Sequence, residues 1–255
     1  LTFTLAAMNP CHELVTLTLN DEDVTDQIVA DQFTWTADTD AVIVATFAPI
    51  MYAMNVVYDP ASTGLGTVNA GTVECDSTYQ YNIVANHGSH IESYTINGVT
   101  TTLGTNDDTL ATVDIVAASQ DTTLTVLFAI NTYNVTLCTL DPAEGSMTAV
   151  TATATYGNPY DVTVRANYVN GYHVETITCG DSVATYGANI DTVINYTINS
   201  ITSDTTVCAT FELNEYTIAA TAGDNGTIEV AGENTIVWGS DTSFVITPAE
   251  CYYID

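Results

Sequence analysis

The sequence predicts an all-β protein built from tandem modules of about 80 residues, and three observations carry that prediction. Thr accounts for 46 of the 255 residues, and Val, Ile and Tyr are also abundant. These β-branched and aromatic types suit a pleated, half-buried surface. No stretch long enough for a helix carries the helical period of apolar residues. One polar phrase ending in Phe and then Tyr occurs three times, as TDAVIVATFAPIMYAM (39–54), QDTTLTVLFAINTYNV (120–135) and SDTTVCATFELNEYTI (203–218).

In each copy an Asp (Asp40, Asp121, Asp204) precedes the Phe (Phe47, Phe128, Phe211) by seven residues, and a Tyr (Tyr52, Tyr133, Tyr216) follows it by five. The Phe-to-Phe steps are 81 and 83 residues. A second landmark runs PCHEL (10–14), GSHIE (88–92), GYHVE (171–175) and ECYYI (250–254), with His12, His90, His173 and Tyr253 read as equivalents. Two landmarks at one period indicate an internal repeat. The expected organisation is a partial module at 1–50 (a back half), complete modules at 51–130 and 131–214, and a partial module at 215–255 (a front half).

Each element of a module follows from local pattern. Tyr133–Leu140 reads as the first strand, and DPAEG after it as a turn. NPYDVTVRANY and GYHVETITCG supply further strands, the latter after a Gly turn, and INYTINSI and TTVCATF complete the set. In the last, Val207, Ala209 and Phe211 share one face, the period of a half-buried strand. The Asp ahead of it suits a turn, where its carboxylate bonds nearby backbone amides. Phe47, Phe128 and Phe211 are then core plugs, and Tyr52, Tyr133 and Tyr216 open the next module. A link of roughly four residues without a Gly/Ser spacer predicts semi-rigid joints, a stiff string of beads.

Charge removes functions. Against 31 Asp plus Glu stands one basic residue, Arg165, for a net charge of −30. Neutralising phosphates needs Lys or Arg, so nucleic acid is excluded as a partner, and anionic membrane surfaces are disfavoured for the same reason. The uncharged run from Ala41 to Tyr58 is interrupted by Pro49 and Asn55 and reads as two strands, not a membrane span. Near-absence of Lys and Arg also leaves trypsin-like proteases only Arg165, which suits a protease-rich exterior.

The six Cys show no zinc-ribbon spacing, so disulfides are expected. Cys138 and Cys208, in the first and last strands of one module, are the candidate pair. HxxH at His87–His90 lacks a third ligand, and the chain has no GxSxG, P-loop or HExxH. No catalytic residue and no cofactor site is expected. Two acidic loops, NDEDVTDQ (20–27) and NDD (106–108), offer Asp21, Asp23, Asp26, Asp107 and Asp108 as weak Ca²⁺ candidates, without the EF-hand layout.

The segments YTIAATAGDNGTIEVAG (216–232), ITP then CYY (246–253), GYHV (171–174) and YTINSITSDTTVCATF (196–211) resemble divergent internalin-type B-repeat modules of bacterial surface proteins. The resemblance spans the chain and is clearest over 131–255, whereas the first repeat keeps the layout without the Gly-Tyr pair. It implies small β-rich modules, β-grasp-like or Ig-like, in exported adhesins and stalks, and no active site.

Phe3 matches Phe244, 241 residues later, so the ends fall inside modules. Either the piece belongs to a longer repeat array, or subunits join head to tail, each completing the other's split module. The expected function is therefore that of a non-enzymatic structural protein of an extracellular fibre, stalk or adhesin at a bacterial-type cell surface. The alternative is a module binding a glycan or host receptor through loop Tyr and Trp side chains.

Overall fold

The computed structural model describes Leu1–Asp255, and the chain is all-β; its only helical segments are three single 3-10 turns. It divides into two compact units, Leu1–Asn131 and Thr132–Asp255.

Unit 1 begins with β1 (Thr2–Thr4), β2 (His12–Leu19), β3 (Glu22–Asp23), β4 (Gln32–Thr34) and β5 (Ile43–Pro49). It continues with β6 (Met51–Tyr58), β7 (Gly66–Val68), β8 (Gly71–Glu74) and β9 (Tyr79–Ala85). β10 (Ser89–Ile96), β11 (Val99–Thr102), β12 (Leu110–Ile115) and β13 (Thr122–Ile130) complete it.

Unit 2 holds β14 (Thr132–Leu137), β15 (Gly145–Ala149), β16 (Thr153–Thr155) and β17 (Tyr160–Ala166). Next come β18 (Tyr172–Cys179), β19 (Ser182–Thr185), β20 (Val193–Ile198) and β21 (Thr205–Leu213). It ends with β22 (Glu215–Ala220), β23 (Gly226–Ile228), β24 (Gly232–Val237) and β25 (Ile246–Pro248).

The middle of unit 1 forms a five-stranded sheet, β11-β10-β13-β6-β8, over a three-stranded one, β12-β9-β7. Unit 2 repeats both orders strand for strand, as β19-β18-β21-β14-β16 and β20-β17-β15. The two inner faces close on Met54, Tyr81, Ile83, Leu124 and Phe128 in unit 1, and on Val162, Val164, Ile177 and Val207 in unit 2. Alternation along β21 puts Val207 and Ala209 inward, and Phe211 follows them at the partly buried margin. The remaining strands form smaller sheets: β5-β2-β3 and β1-β4 in unit 1, β22-β24 and β23-β25 in unit 2.

The first and last strands of each complete arrangement are parallel neighbours. β6 pairs with β13 from Met54↔Thr122 to Tyr58↔Val126, and β14 with β21 from Val135↔Thr205 to Leu137↔Val207. This changes the role of the recurring Asp. Asp121 accepts a hydrogen bond from Ala53 N and Asp204 from Asn134 N, both at 2.8 Å. Instead of a local turn, each carboxylate caps the neighbouring strand across 68 or 70 residues, because the parallel partner begins beside it.

The His landmark also shifts. Leu14, Ile91 and Val174 each lie opposite Phe47, Phe128 and Phe211, and a β-bulge follows each of them. Glu13, not His12, therefore stands where His90 and His173 stand. The Phe-anchored ladder sets the register, and a one-residue offset reverses which face a side chain meets.

Candidate functional site: strand clamps and module junctions

Two kinds of contact tie the strands end to end: the clamp between first and last strand, and the junction where one half-module or module passes into the next within a unit.

In the unit 2 clamp, the disulfide Cys138–Cys208 bridges the two parallel strands, with Cα atoms 4.9 Å apart. Cys138 follows β14 directly and Cys208 lies in β21, so parallel pairing brings residues 70 apart side by side. Unit 1 has Val57 and Thr125 at the corresponding ladder position. It binds the same two strands through Tyr81. That ring is fully buried, and its hydroxyl donates toward Asn55 O of β6 (3.0 Å) and Thr122 O of β13 (3.2 Å). Burial pushes the phenol up to about 12, since the phenolate would lose its hydration.

The Phe side chains lock the sheets together. Phe128 is buried and Phe211 partly so. Each ring lies under a glycine of the second strand, Gly66 or Gly145, and a side chain there would collide with it. Phe47 is half-buried, and with His12 and Ala6–Asn9 it lines an apolar groove of roughly 300 Å³. His12 Nδ1 is buried there with no hydrogen-bond partner. Tyr52 and Tyr133 pack against the cores of their units, whereas Tyr216 is exposed. Phe3 lies in β1 and is exposed; Phe244 lies ahead of β25 and is partly covered.

The junctions share one backbone scheme. In unit 1 the single residue between β5 and β6, Ile50, donates to Cys11 O and accepts from Cys75 N, both at 2.8 Å. In unit 2 Asn214, between β21 and β22, donates to Gly171 O and accepts from Trp238 N, both at 2.7 Å. The side chains differ. Cys11 and Cys75 form a disulfide, Cα atoms 5.2 Å apart, whereas the Trp238 ring lies on Gly171, which has φ +80° and admits no Cβ. Asn189 adds a reciprocal pair, its Nδ2 donating to Glu215 O and its Oδ1 accepting from Glu215 N. The Cys11–Cys75 pair was not legible in the spacing, because the two residues belong to different repeats.

His173 and Asn214 form a second unit of this junction. His173 is buried, and its Nδ1 lies 2.9 Å from Asn214 Oδ1. Unit 1 repeats the pair as His90 Nδ1 and Asn131 Oδ1 at 2.8 Å.

The five acidic candidates do not converge. Asp23 bonds Thr25, and Asp108 bonds Thr105; each hydroxyl bond holds its carboxyl below the usual range. The Asp23 and Asp108 carboxylates thus organise their own turns. The free cysteines are Cys179, whose thiol burial pushes up, and exposed Cys251.

No family model matches the chain, and no curated protein matches it. Among solved structures, a Bacteroides ovatus mixed-linkage glucan utilization locus protein, SGBP-B, in complex with a mixed-linkage heptasaccharide, aligns over 98% of this chain and 84% of its own at 8% identity. Its TM-score is 0.12, so the alignment carries no argument about fold or ligand.

Proposed function

We propose that this chain is a load-bearing repeat of an extracellular fibre, stalk or adhesin. The observation that carries the reading is the parallel pairing of first and last strands, β6 with β13 and β14 with β21. A pull along the chain enters a module through its first strand and leaves through its last. Between parallel neighbours that pull is a shear, which loads the ladder's hydrogen bonds together instead of opening them one by one. In unit 2 the Cys138–Cys208 bridge passes the load across the clamp and shields the residues between. Two disulfides also fit an oxidising, exported setting. Trp35 packs on the N-terminal core, and Trp238 lies on Gly171 with its ring partly exposed.

Single-molecule pulling tests the reading. With the bridge intact, the 70-residue span stays closed; reduction adds about 240 Å of extension to the unit 2 event. Unfolding in a smooth, low-force drift under either condition would overturn the load-bearing role.

The same reading includes head-to-tail completion of open half-modules. Gly226 begins β23 as Gly66 and Gly145 begin β7 and β15, but no Phe covers it. Phe47 in turn has no such glycine over it. The two halves are complementary, and a second copy supplies the missing one. The register of β14 with β21 carried onto the open halves sets Val44 opposite Thr221, as Cys208 stands opposite Cys138. A Val44→Cys, Thr221→Cys chain is expected to form a covalent ladder of oligomers under mild oxidation, with the unmodified chain as background. A folded variant that stays monomeric would defeat completion by a second copy and leave the load-bearing reading standing.

A further inference from the structure

We infer that His173, Glu175 and Glu212 form a divalent transition-metal site, best suited to Zn²⁺, that pins β18 to β21 beside the unit 2 junction. One ligand atom from each of the three lies within 4.8 Å of the others. The sheet places them: Glu212 of β21 lies directly opposite His173, and Glu175, two along on β18, is the extra residue of the bulge between Val174 and Thr176. Opposed residues in an antiparallel pair bring their Cβ atoms to about 5 Å, within reach of one ion.

The protonation logic points to a cation. Asn214 Oδ1 only accepts, so the Nδ1 of His173 carries the proton in this 2.9 Å bond. The amide's orientation follows the unit 1 copy, where Asn131 Nδ2 donates to Asn106 O and turns Oδ1 toward His90. In a neutral ring this leaves the His173 Nε2 lone pair outward. The imidazole is buried, and Glu175 Oε2 lies 3.6 Å from Nε2, within ion-pair range of a protonated ring but too far for a hydrogen bond. In the neutral ring a nitrogen lone pair thus faces carboxylates, in a chain with one basic residue.

One nitrogen and two carboxylate oxygens are a zinc-type donor set, with a fourth position left for water. The Asn214 bond to Nδ1 is the outer support that fixes a metal-binding imidazole. Gly187, at φ +94°, leaves room for the Glu175 carboxylate; a Cβ there would lie 2.9 Å from its Oε2. Unit 1 is an internal control. His90 and Glu92 recur, with Nε2–Oε2 at 3.2 Å, but Ala129 stands opposite His90 where unit 2 has Glu212.

The test uses the full chain, with Zn²⁺ measured by competition against a chelating dye and Co²⁺ by its visible absorption. Excess Ca²⁺ suppresses the general acidity of the surface. One equivalent is expected to bind, with Glu212→Gln weakening it about tenfold and Asn214→Ala about 10–100-fold. Glu212 is exposed, so its Gln variant keeps the metal-free melting temperature. Ala129→Glu is expected to add a second equivalent. Equal affinity in the wild type and Glu212→Gln would overturn the site. So would a His173 that only takes up a proton, seen as an imidazole NMR titration unmoved by Zn²⁺.

Discussion

The two junctions show one backbone solution closed by two chemistries. Ile50 in unit 1 and Asn214 in unit 2 make the same pair of backbone hydrogen bonds. Around Ile50 a disulfide adds a covalent link; around Asn214 a tryptophan lies on a glycine, with a buried His–Asn pair beneath. The clamps are arranged in reverse. Unit 2 carries its disulfide inside the complete module, where unit 1 relies on the Tyr81 hydroxyl. Each unit therefore has one covalent tie, placed at the junction in one and across the clamp in the other. The backbone scheme is what the repeat preserves, and the side chain that reinforces it is exchangeable.

The largest effects should come from the plugs. Phe128→Ala is expected to cost unit 1 about 3–5 kcal/mol by denaturant unfolding. Phe47→Ala removes a ring that is only half-buried and should cost about 1–2 kcal/mol. Equal costs would mean that the open half is covered in solution.

Next come the disulfides, each closing a loop of 64 or 70 residues and contributing about 3–4 kcal/mol. Trypsin separates them, because its single site, Arg165, lies in β17 of unit 2. Cleavage there requires the module to open. Cys138→Ser with Cys208→Ser should accelerate it by two orders of magnitude or so, whereas Cys11→Ser with Cys75→Ser should leave it unchanged.

Trp238→Ala should cost unit 2 about 1–2 kcal/mol, since the ring is partly exposed. The loss should appear as earlier fraying of β22–β24 in hydrogen exchange, with the complete module unaffected.

The smallest effect is Tyr81→Phe, about 1 kcal/mol for the hydroxyl bonds. It carries a pH signature. Burial raises the folded phenol to about 12 from the ordinary value of about 10, so its stabilisation is full below pH 10 and declines as pH rises toward 12. Unit 1 should show this alkaline decline, and the Phe variant should lose it.

Much of the architecture was legible in residues 120–135 and 203–218 alone. A period-2 strand, an Asp before it and a Phe at its margin are local patterns, and their recurrence set the period. The Cys138–Cys208 pair was legible as well, because both residues lie within one module. Asp121 was misread as a turn residue for want of its partner, since a carboxylate's bond to Ala53 N joins strands that no local pattern connects. His12 was misaligned for a related reason. Identity of residue type suggested its equivalence to His90, but the ladder opposite Phe47 and the bulge after Leu14 set the register. The Cys11–Cys75 bridge and the Trp238–Gly171 contact gave no signal, because each joins residues from separate repeats, and of the His173–Glu175–Glu212 cluster only the GYHVE landmark (171–175) was legible.

By itself, then, the sequence determined the strand content and the recurrence of the strand pattern. Those properties follow from side-chain pattern, which is local. Only the tertiary structure decided that first and last strands run parallel, and which distant side chains meet at a clamp or a junction. Strand pairing is a non-local choice, fixed by packing of two faces at once, and no local pattern in the chain carries it.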